Sequence, residues 1–158
     1  MLKAFEPIHS PDSKLLILGT GPSIRSLQKQ QYYGHERNAF WPILSSLYSH
    51  PIETYEQKWE LLLSHDLALW DVLKQFERTL SSDSAFHACI PNDVQAWMDE
   101  HPNLEKVLFN GQKACQLYKK YIGYYPQAIQ FITLPSTSPA YTLLFESKLE
   151  RWAKALKG

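Results

Sequence analysis

The chain has few cysteines, no excess charge of either sign and no long apolar run. Its two cysteines, Cys89 and Cys115, stand 26 positions apart with no CxxC pattern. That argues against a disulfide framework or an iron–sulfur cluster and suits a reducing cytoplasm. Sixteen lysines and arginines balance sixteen aspartates and glutamates. A broad basic field for nucleic acid or for an anionic membrane is therefore absent, and any DNA contact must rest on local geometry. No stretch approaches the roughly 18 apolar residues of a membrane span. The opening MLKAFEPIHSPDSK has no apolar signal region. No internal repeat, linker or low-complexity tract divides the 158 residues, so residues 1–158 are expected to form one domain.

What is present is aromatic and apolar. Apolar residues make up 44% of the chain and aromatics 13%, enough for a full core without staples. Trp59, Trp70, Trp97 and Trp152 all sit inside otherwise apolar patterns. Four short continuous apolar runs, Leu15–Leu18, Leu67–Trp70, Val107–Phe109 and Ile129–Leu134, read as strands buried on both faces of a parallel sheet. Helical patterns lie between them. Phe40, Trp41, Leu44, Leu47 and Tyr48 share a face. Thr54 and Gln57 form a capping-box signature, and Asn92 with Gln95 repeats it. Leu117, Tyr118 and Tyr121 suggest a helix after Gly111, and Phe145, Leu149, Trp152 and Leu156 a last one. The expected fold is α/β: a three-layer α/β/α sandwich around a central, mostly parallel four-stranded sheet.

In such folds ligands bind beyond the carboxyl ends of the strands. Here those ends are Gly19–Ser23, Trp70–Asp71, Asn110–Gly111 and Pro135–Pro139. Gly19-Thr20-Gly21-Pro22-Ser23 lets backbone approach a ligand. It is no dinucleotide fingerprint, because Ile24 stands where a third glycine is needed, and no P-loop lysine follows. The same turn serves equally as a plain strand-to-helix connection capped by Ser23. Ser136, Thr137 and Ser138 lie between two prolines, directly before the expected last helix, whose N-terminus would favour a phosphate. An ordinary capped turn has the same composition. Asp71 reads either as a strand-end acid or as a helix cap after Trp70. In Gln31–Trp41 the aromatics can stack on a base or pack a core, Arg37 can meet a phosphate or a carboxylate, and His35 can face a ligand or solvent.

Taken together, GTGPS, QQYYGHERNAFWP, ALWDVL, PND, FNG and LPSTSPA resemble the uracil-DNA glycosylase superfamily, and most of all its hypoxanthine-DNA (deoxyinosine) glycosylase branch. The match runs from Leu15 to the last helix. The resemblance implies a monofunctional glycosylase, without metal or cofactor, that flips a damaged base of DNA into a pocket over the sheet. It implies Asn38 as the catalytic residue. Gly19, Thr20, Gly21, Pro22, Ser23, Tyr33, His35, Phe40, Trp70 and Asp71 would surround the base. Arg37, Ser136, Thr137 and Ser138 would hold DNA phosphates. Hypoxanthine is the expected leaving base, and base excision repair in the cytoplasm the expected setting; nothing in the pattern demands more than a monomer.

Three positions depart from the family pattern. Gly21 (or Thr20) stands where other branches carry Asp or Asn, which argues against efficient uracil removal. Glu36 replaces proline in the HPRN form, and Tyr141 replaces the asparagine that usually follows STSPA. The alternatives are a binding module that kept the fold without the chemistry and, from another class, a hydrolase of free nucleosides, which the neutral surface favours. The Lys148, Arg151, Lys154 and Lys157 run reads as a solvated helix face.

Overall fold

The computed structural model describes residues 1–78 and 86–157. Its centre is a four-stranded, all-parallel sheet of β2 (Leu15–Gly19), β3 (Leu67–Asp71), β6 (Lys106–Asn110) and β7 (Gln130–Leu134), in the order β3-β2-β6-β7. Each expected strand is present, with ends differing by one residue or none. The strands are continuous apolar runs because the sheet is covered on both faces. Alternation then sorts the side chains. Leu15, Ile17, Leu69, Leu108 and Leu134 join one core cluster. Leu16, Leu18, Trp70, Val107 and Phe109 join the other.

On the first face lie α2 (Phe40–Tyr48), α3 (Tyr55–Ser64) and α6 (Phe145–Lys157), which contribute Phe40, Leu44, Leu61, Leu62 and Trp152. On the second lie α4 (Val94–Asp99) and α5 (Gln112–Tyr121), through Trp97, Met98, Leu117 and Tyr118. The result is the expected three-layer sandwich. The short α1 (Ile24–Lys29) follows β2 directly, and Ser23 caps it by accepting from the Ser26 N–H. Trp59, expected in the apolar pattern of α3, is 41% exposed.

A second sheet was not legible in the sequence. β1 (Leu2–Lys3), β4 (Leu73–Arg78) and β5 (Phe86–Pro91) form an antiparallel sheet in the order β1-β4-β5. Register shifts between Leu73 and Gln75 and between Gln75 and Glu77 break the two-residue alternation that would have signalled a hairpin. Asp71 therefore caps no helix; it ends β3, and the chain turns straight into β4.

Two helix starts also differ from expectation. The cap of α4 is Asp93, whose side chain accepts from the Ala96 N–H. Asn92 instead turns inward, and its Nδ2 donates to the Asp71 carbonyl at 2.8 Å. The last helix begins at Phe145, not directly after Ser138. The hydroxyl loop thus lies against the flank of α6, not at its N-terminus. Trp152 Nε1 donates to the Pro135 carbonyl at 2.9 Å, and Lys148 Nζ to the Ser138 carbonyl at 3.1 Å. Lys148 is consequently buried, contrary to a solvated helix face. Its burial lowers the ammonium pKa.

The Thr54–Gln57 capping box is formed on both sides. Thr54→Ala removes one half of it, on the exposed end of α3. It should cost about 1 kcal/mol, a fall in Tm of about 2–4 °C for a chain of this size. Calorimetry of the variant checks this.

Candidate active site

The four central strands stop at the same level. Gly19 pairs with Asp71, and Asn110 with Leu134. Beyond them opens a cavity of about 740 Å³, ample for a purine-sized base. Three segments wall it: the turn after β2, the loop before α2, and the loop after β7.

The first wall is Gly19, Thr20, Gly21, Pro22 and Ser23. The site needs a glycine at position 19 for space. A Cβ there would lie 2.7 Å from both Asp71 Oδ1 and Tyr33 Oη. Those two groups come against bare backbone, and both residues line the cavity. Pro22 has no N–H, so Gly21 and Ser23 supply the backbone donors of this turn.

The second wall is the loop 31–39, and nearly every turn of it is tied down. Tyr32 is its buried anchor. Its hydroxyl donates to the Glu6 carbonyl at 2.7 Å, and its own carbonyl accepts from Trp41 Nε1 at 2.8 Å. Burial, reinforced by the Asp71 charge, pushes the Tyr32 phenol pKa well above its usual range. Tyr33 follows at φ +52°, a left-handed backbone unusual for an aromatic residue. Its ring packs on Phe40 with centroids 4.3 Å apart. The Gly34 N–H donates to Ser26 Oγ at 2.9 Å, which hangs the loop on α1. The Arg37 N–H donates to His35 Nδ1 at 3.0 Å. Nδ1 is the acceptor in that bond, which leaves Nε2 as the ring nitrogen able to donate.

Asn38 ends this loop. Its Oδ1 accepts from the Phe40 N–H at 2.9 Å, an Asx turn at the start of α2. The bond orients the carboxamide and leaves its two Nδ2 hydrogens without a partner among the described residues. Asn38 and His35 both line the cavity.

The third wall is Ser136, Thr137, Ser138, Pro139 and Ala140, met by Asn110 from the end of β6. Ser136 and Ser138 are partly exposed, and Ser136 Oγ accepts from the Ser138 N–H at 3.1 Å. Thr137 is different. It is 1% exposed, and its Oγ1 accepts from Asn110 Nδ2 at 2.9 Å. Its hydroxyl is thus engaged with Asn110, although the residue still lines the cavity.

Two expected base contacts, Phe40 and Trp70, fall away from the cavity wall, and the expected phosphate contact Arg37 stands outside it. Phe40 is fully buried between Tyr33, Trp41 and Trp152, so it can support Tyr33 but cannot stack on a base. Trp70 points into the opposite core layer, beside Trp97. Arg37 is exposed and is not among the residues that line the cavity. The sequence reading missed Arg25, the one lysine or arginine on the wall among the described residues, and Asn110. Asn110 was visible only as a strand end before glycine; Arg25 carried no signal beyond its place in the first turn of a helix.

Glu36, the departure from the HPRN pattern, also stands off the wall. It accepts from Arg25 Nε at 2.9 Å and Nη2 at 2.5 Å, and Lys29 Nζ lies 3.1 Å away. The Arg25 guanidinium above all, with Lys29, holds its carboxyl down at about 2. Glu36 and Asp71 therefore do not form the facing carboxylate pair of a polysaccharide glycosidase. No lysine lines the cavity, so no amine stands ready for a Schiff base, and no group of three or more metal-ligating side chains occurs among the described residues. Besides the Asp71 carboxylate and the Arg25 guanidinium, the wall offers the carboxamides of Gln28, Asn38 and Asn110, backbone and imidazole N–H groups, and hydroxyls. These are donors suited to charge developing on a departing base.

The model of the uracil DNA glycosylase superfamily matches residues 7–157. A hypoxanthine DNA glycosylase of Methanosarcina barkeri is 32% identical over 98% of this chain and 98% of its own length. One of Methanosarcina acetivorans is 30% identical over 95% and 94%. The solution NMR structure of a Methanosarcina acetivorans protein, 30% identical, superposes with a TM-score of 0.80 over 99% of this chain and 98% of that one. The fold and these relatives define an enzyme class, the DNA glycosylases, which hydrolyse the N-glycosidic bond between base and deoxyribose. The chain belongs to the uracil DNA glycosylase superfamily. Among the described residues no helix is long and apolar enough to cross a membrane.

Two outcomes follow from this geometry. Gly19→Ala should drive Asp71 and Tyr33 apart, cost about 1–3 kcal/mol and reduce any activity of the cavity; denaturant melts and excision assays measure both. The Glu36 carboxyl, lowered by its partners, stays ionised down to about pH 2. Its ion pairs thus persist from neutral pH through the ordinary carboxylate range and are lost as pH falls through that value. An NMR titration should find this midpoint in the wild type and return it toward about 4.3 in Arg25→Ala; an ordinary midpoint in the wild type would show that the pair does not form in solution.

Proposed function

We propose that the protein excises hypoxanthine from deoxyinosine in DNA, as a monofunctional glycosylase of base excision repair. It acts as a single-domain monomer in the cytoplasm, with the flipped nucleotide in the cavity above the sheet. The observation that carries this reading is the Asn38 carboxamide. It is oriented by the Phe40 N–H and presents free Nδ2 hydrogens on a cavity wall.

Cleavage of an N-glycosidic bond builds positive charge on the sugar and negative charge on the leaving base. A neutral amide takes up no proton at useful pH, so Asn38 is no general base. Its Nδ2 donates to an acceptor of the departing purine, or its Oδ1, through its second lone pair, holds the attacking water. The N–H groups of Gly21 and Ser23 add donors toward the base. Strand phosphates lie against Ser136 and Ser138. Tyr33, backed by Phe40, gives the base an aromatic face. At position 21 glycine supplies no side chain to position a water, which fits a purine lactam as substrate better than uracil. The two named relatives, both hypoxanthine DNA glycosylases, agree with this choice.

An apolar wedge is available beside the cavity. Tyr141, Leu143 and Leu144 follow the cavity-lining Ala140 and are 49%, 38% and 70% exposed. Large apolar side chains held in solvent next to a base pocket suit insertion into a stack that must open.

The decisive assay incubates the protein with duplexes carrying inosine, xanthine or uracil, followed by alkali. Cleavage is expected at inosine, only after alkali, and lower by about 10²–10³-fold in Asn38→Ala. Binding without cleavage would leave a DNA-binding module. Turnover of free inosine but not of duplex would leave a nucleoside hydrolase, a reading favoured by Arg25, the one lysine or arginine on the wall among the described residues, being tied to Glu36. Leu144→Ala should slow excision from duplex about tenfold while leaving a single-stranded substrate unaffected. Equal loss on both substrates would remove the wedge role.

A further inference from the structure

We propose that Asn110 and Thr137 form a joint that fixes the Asn38 carboxamide relative to the hydroxyl loop, making Asn110 a positioning residue of the reaction. The kinetic part of this inference rests on the glycosylase reading; the structural part does not.

Thr137 makes bonds in two directions. Its N–H donates to Asn110 Oδ1, and its Oγ1 accepts from Asn110 Nδ2, both at 2.9 Å. Its carbonyl accepts from the Ala39 N–H at 3.0 Å. That N–H belongs to the peptide group joining Asn38 to Ala39. One buried threonine, 1% exposed, therefore links the end of β6 to the peptide that carries Asn38. The next N–H along the chain, that of Phe40, holds the Asn38 side chain itself. The Asn38 N–H donates to the His35 carbonyl at 3.0 Å, so its backbone is held on both sides, and the bond on the Ala39 side leads back to the sheet through Asn110.

The joint is stiff at its base. Asn110 lies in the ladder opposite Leu134, and the Gly111 N–H donates to the Leu134 carbonyl at 3.0 Å. Gly111 sits at φ +98°, and a Cβ there would come 3.0 Å from Ser136 Cβ. The strand end and the hydroxyl loop are in direct contact, which brings the planar Asn110 amide within reach of Thr137. The chemistry requires a carboxamide. One planar group must accept from a backbone N–H and donate to a hydroxyl at once. Leucine does neither, and aspartate lacks the donor. The amide of Asn110 therefore serves the fold of the site on the side that faces Thr137.

The test uses the full chain. Amide hydrogen exchange at Ala39 and Thr137 is measured by NMR without DNA. Single-turnover excision from an inosine duplex and the duplex Kd are measured alongside. Asn110→Leu should speed exchange at Ala39 and Thr137 by about tenfold or more while Ile17 and Leu108 in the sheet keep their protection. It should lower the excision rate constant by about 10²-fold with Kd nearly unchanged, as an ångström-scale misplacement of a catalytic group does. Thr137→Val, a smaller perturbation that removes only the hydroxyl, should move both readouts in the same direction and serves if the leucine variant does not fold. Thr137→Ser, which keeps the hydroxyl, should restore both. Wild-type protection at Ala39 in Asn110→Leu and Thr137→Val would overturn the joint. So would a loss of rate matched by an equal loss of duplex binding, which would make Asn110 a DNA contact. A wild-type protein that excises nothing would overturn the functional reading and leave the exchange measurements to decide the joint.

Discussion

Gly19 of β2 ends in register with Asp71 of β3, and Asn110 of β6 with Leu134 of β7. At that level the backbone ladders of the parallel sheet run out, and the chain must leave in four loops whose polar groups have no further strand to bond. The site is the solution to that constraint. The Asp71 carbonyl takes Asn92, the Asn110 amide takes Thr137, and the Gly19 and Thr20 carbonyls take the Val72 and Leu73 N–H groups. The strand ends and the segments that follow them are bonded to one another and to the start of β4, so the cavity wall is held together around its rim.

The core explains why those loops can be so exposed to ligand without sagging. Ile17 packs toward α2, α3 and α6, and Leu18 toward α4, α5 and β4. Phe40 is the clearest link between the two levels. It is fully buried, stands edge-on to Trp41 and Trp152, and turns its other side to Tyr33. A residue that reads as a base-stacking group is instead buried packing behind the cavity-lining Tyr33.

That exchange of roles shows where sequence was informative. Continuous apolar runs such as Leu15–Leu18 have only one stable use, as central strands, so the sandwich and the strand ends were legible. The turn at Gly19–Ser23 and the loop to Asn38 could be placed at the same end, because strand ends in a parallel sheet share one edge. Direction within a loop was not legible. Phe40 and Trp70 stand two and one positions from Asn38 and Asp71, which line the cavity, and so short a step decides between core and cavity. The start of α6 was misread for a similar reason: Ser-Thr-Ser-Pro looks like a helix cap, yet Lys148 and Trp152 bind that loop from the side. The second sheet was hidden by its bulges.

A neutral chain acting on a polyanion needs its cations where they count, and here two of those at the site are restrained. Arg25 reaches the cavity wall but is bound by Glu36, and Lys148 is buried against the Ser138 carbonyl. Beside the exposed Arg37, hydroxyls and backbone N–H groups would be left to meet phosphate. Such contacts bring little counterion release, so duplex binding of this kind should fall gently with salt. The same restraint suits the chemistry. A free guanidinium or ammonium in the cavity would oppose the cationic sugar, whereas N–H dipoles aimed at the base stabilise its departing charge without adding a full positive charge nearby. Neutral donors on a tightly bonded rim are thus consistent both with the weak field of the protein and with a bond that breaks toward a cation.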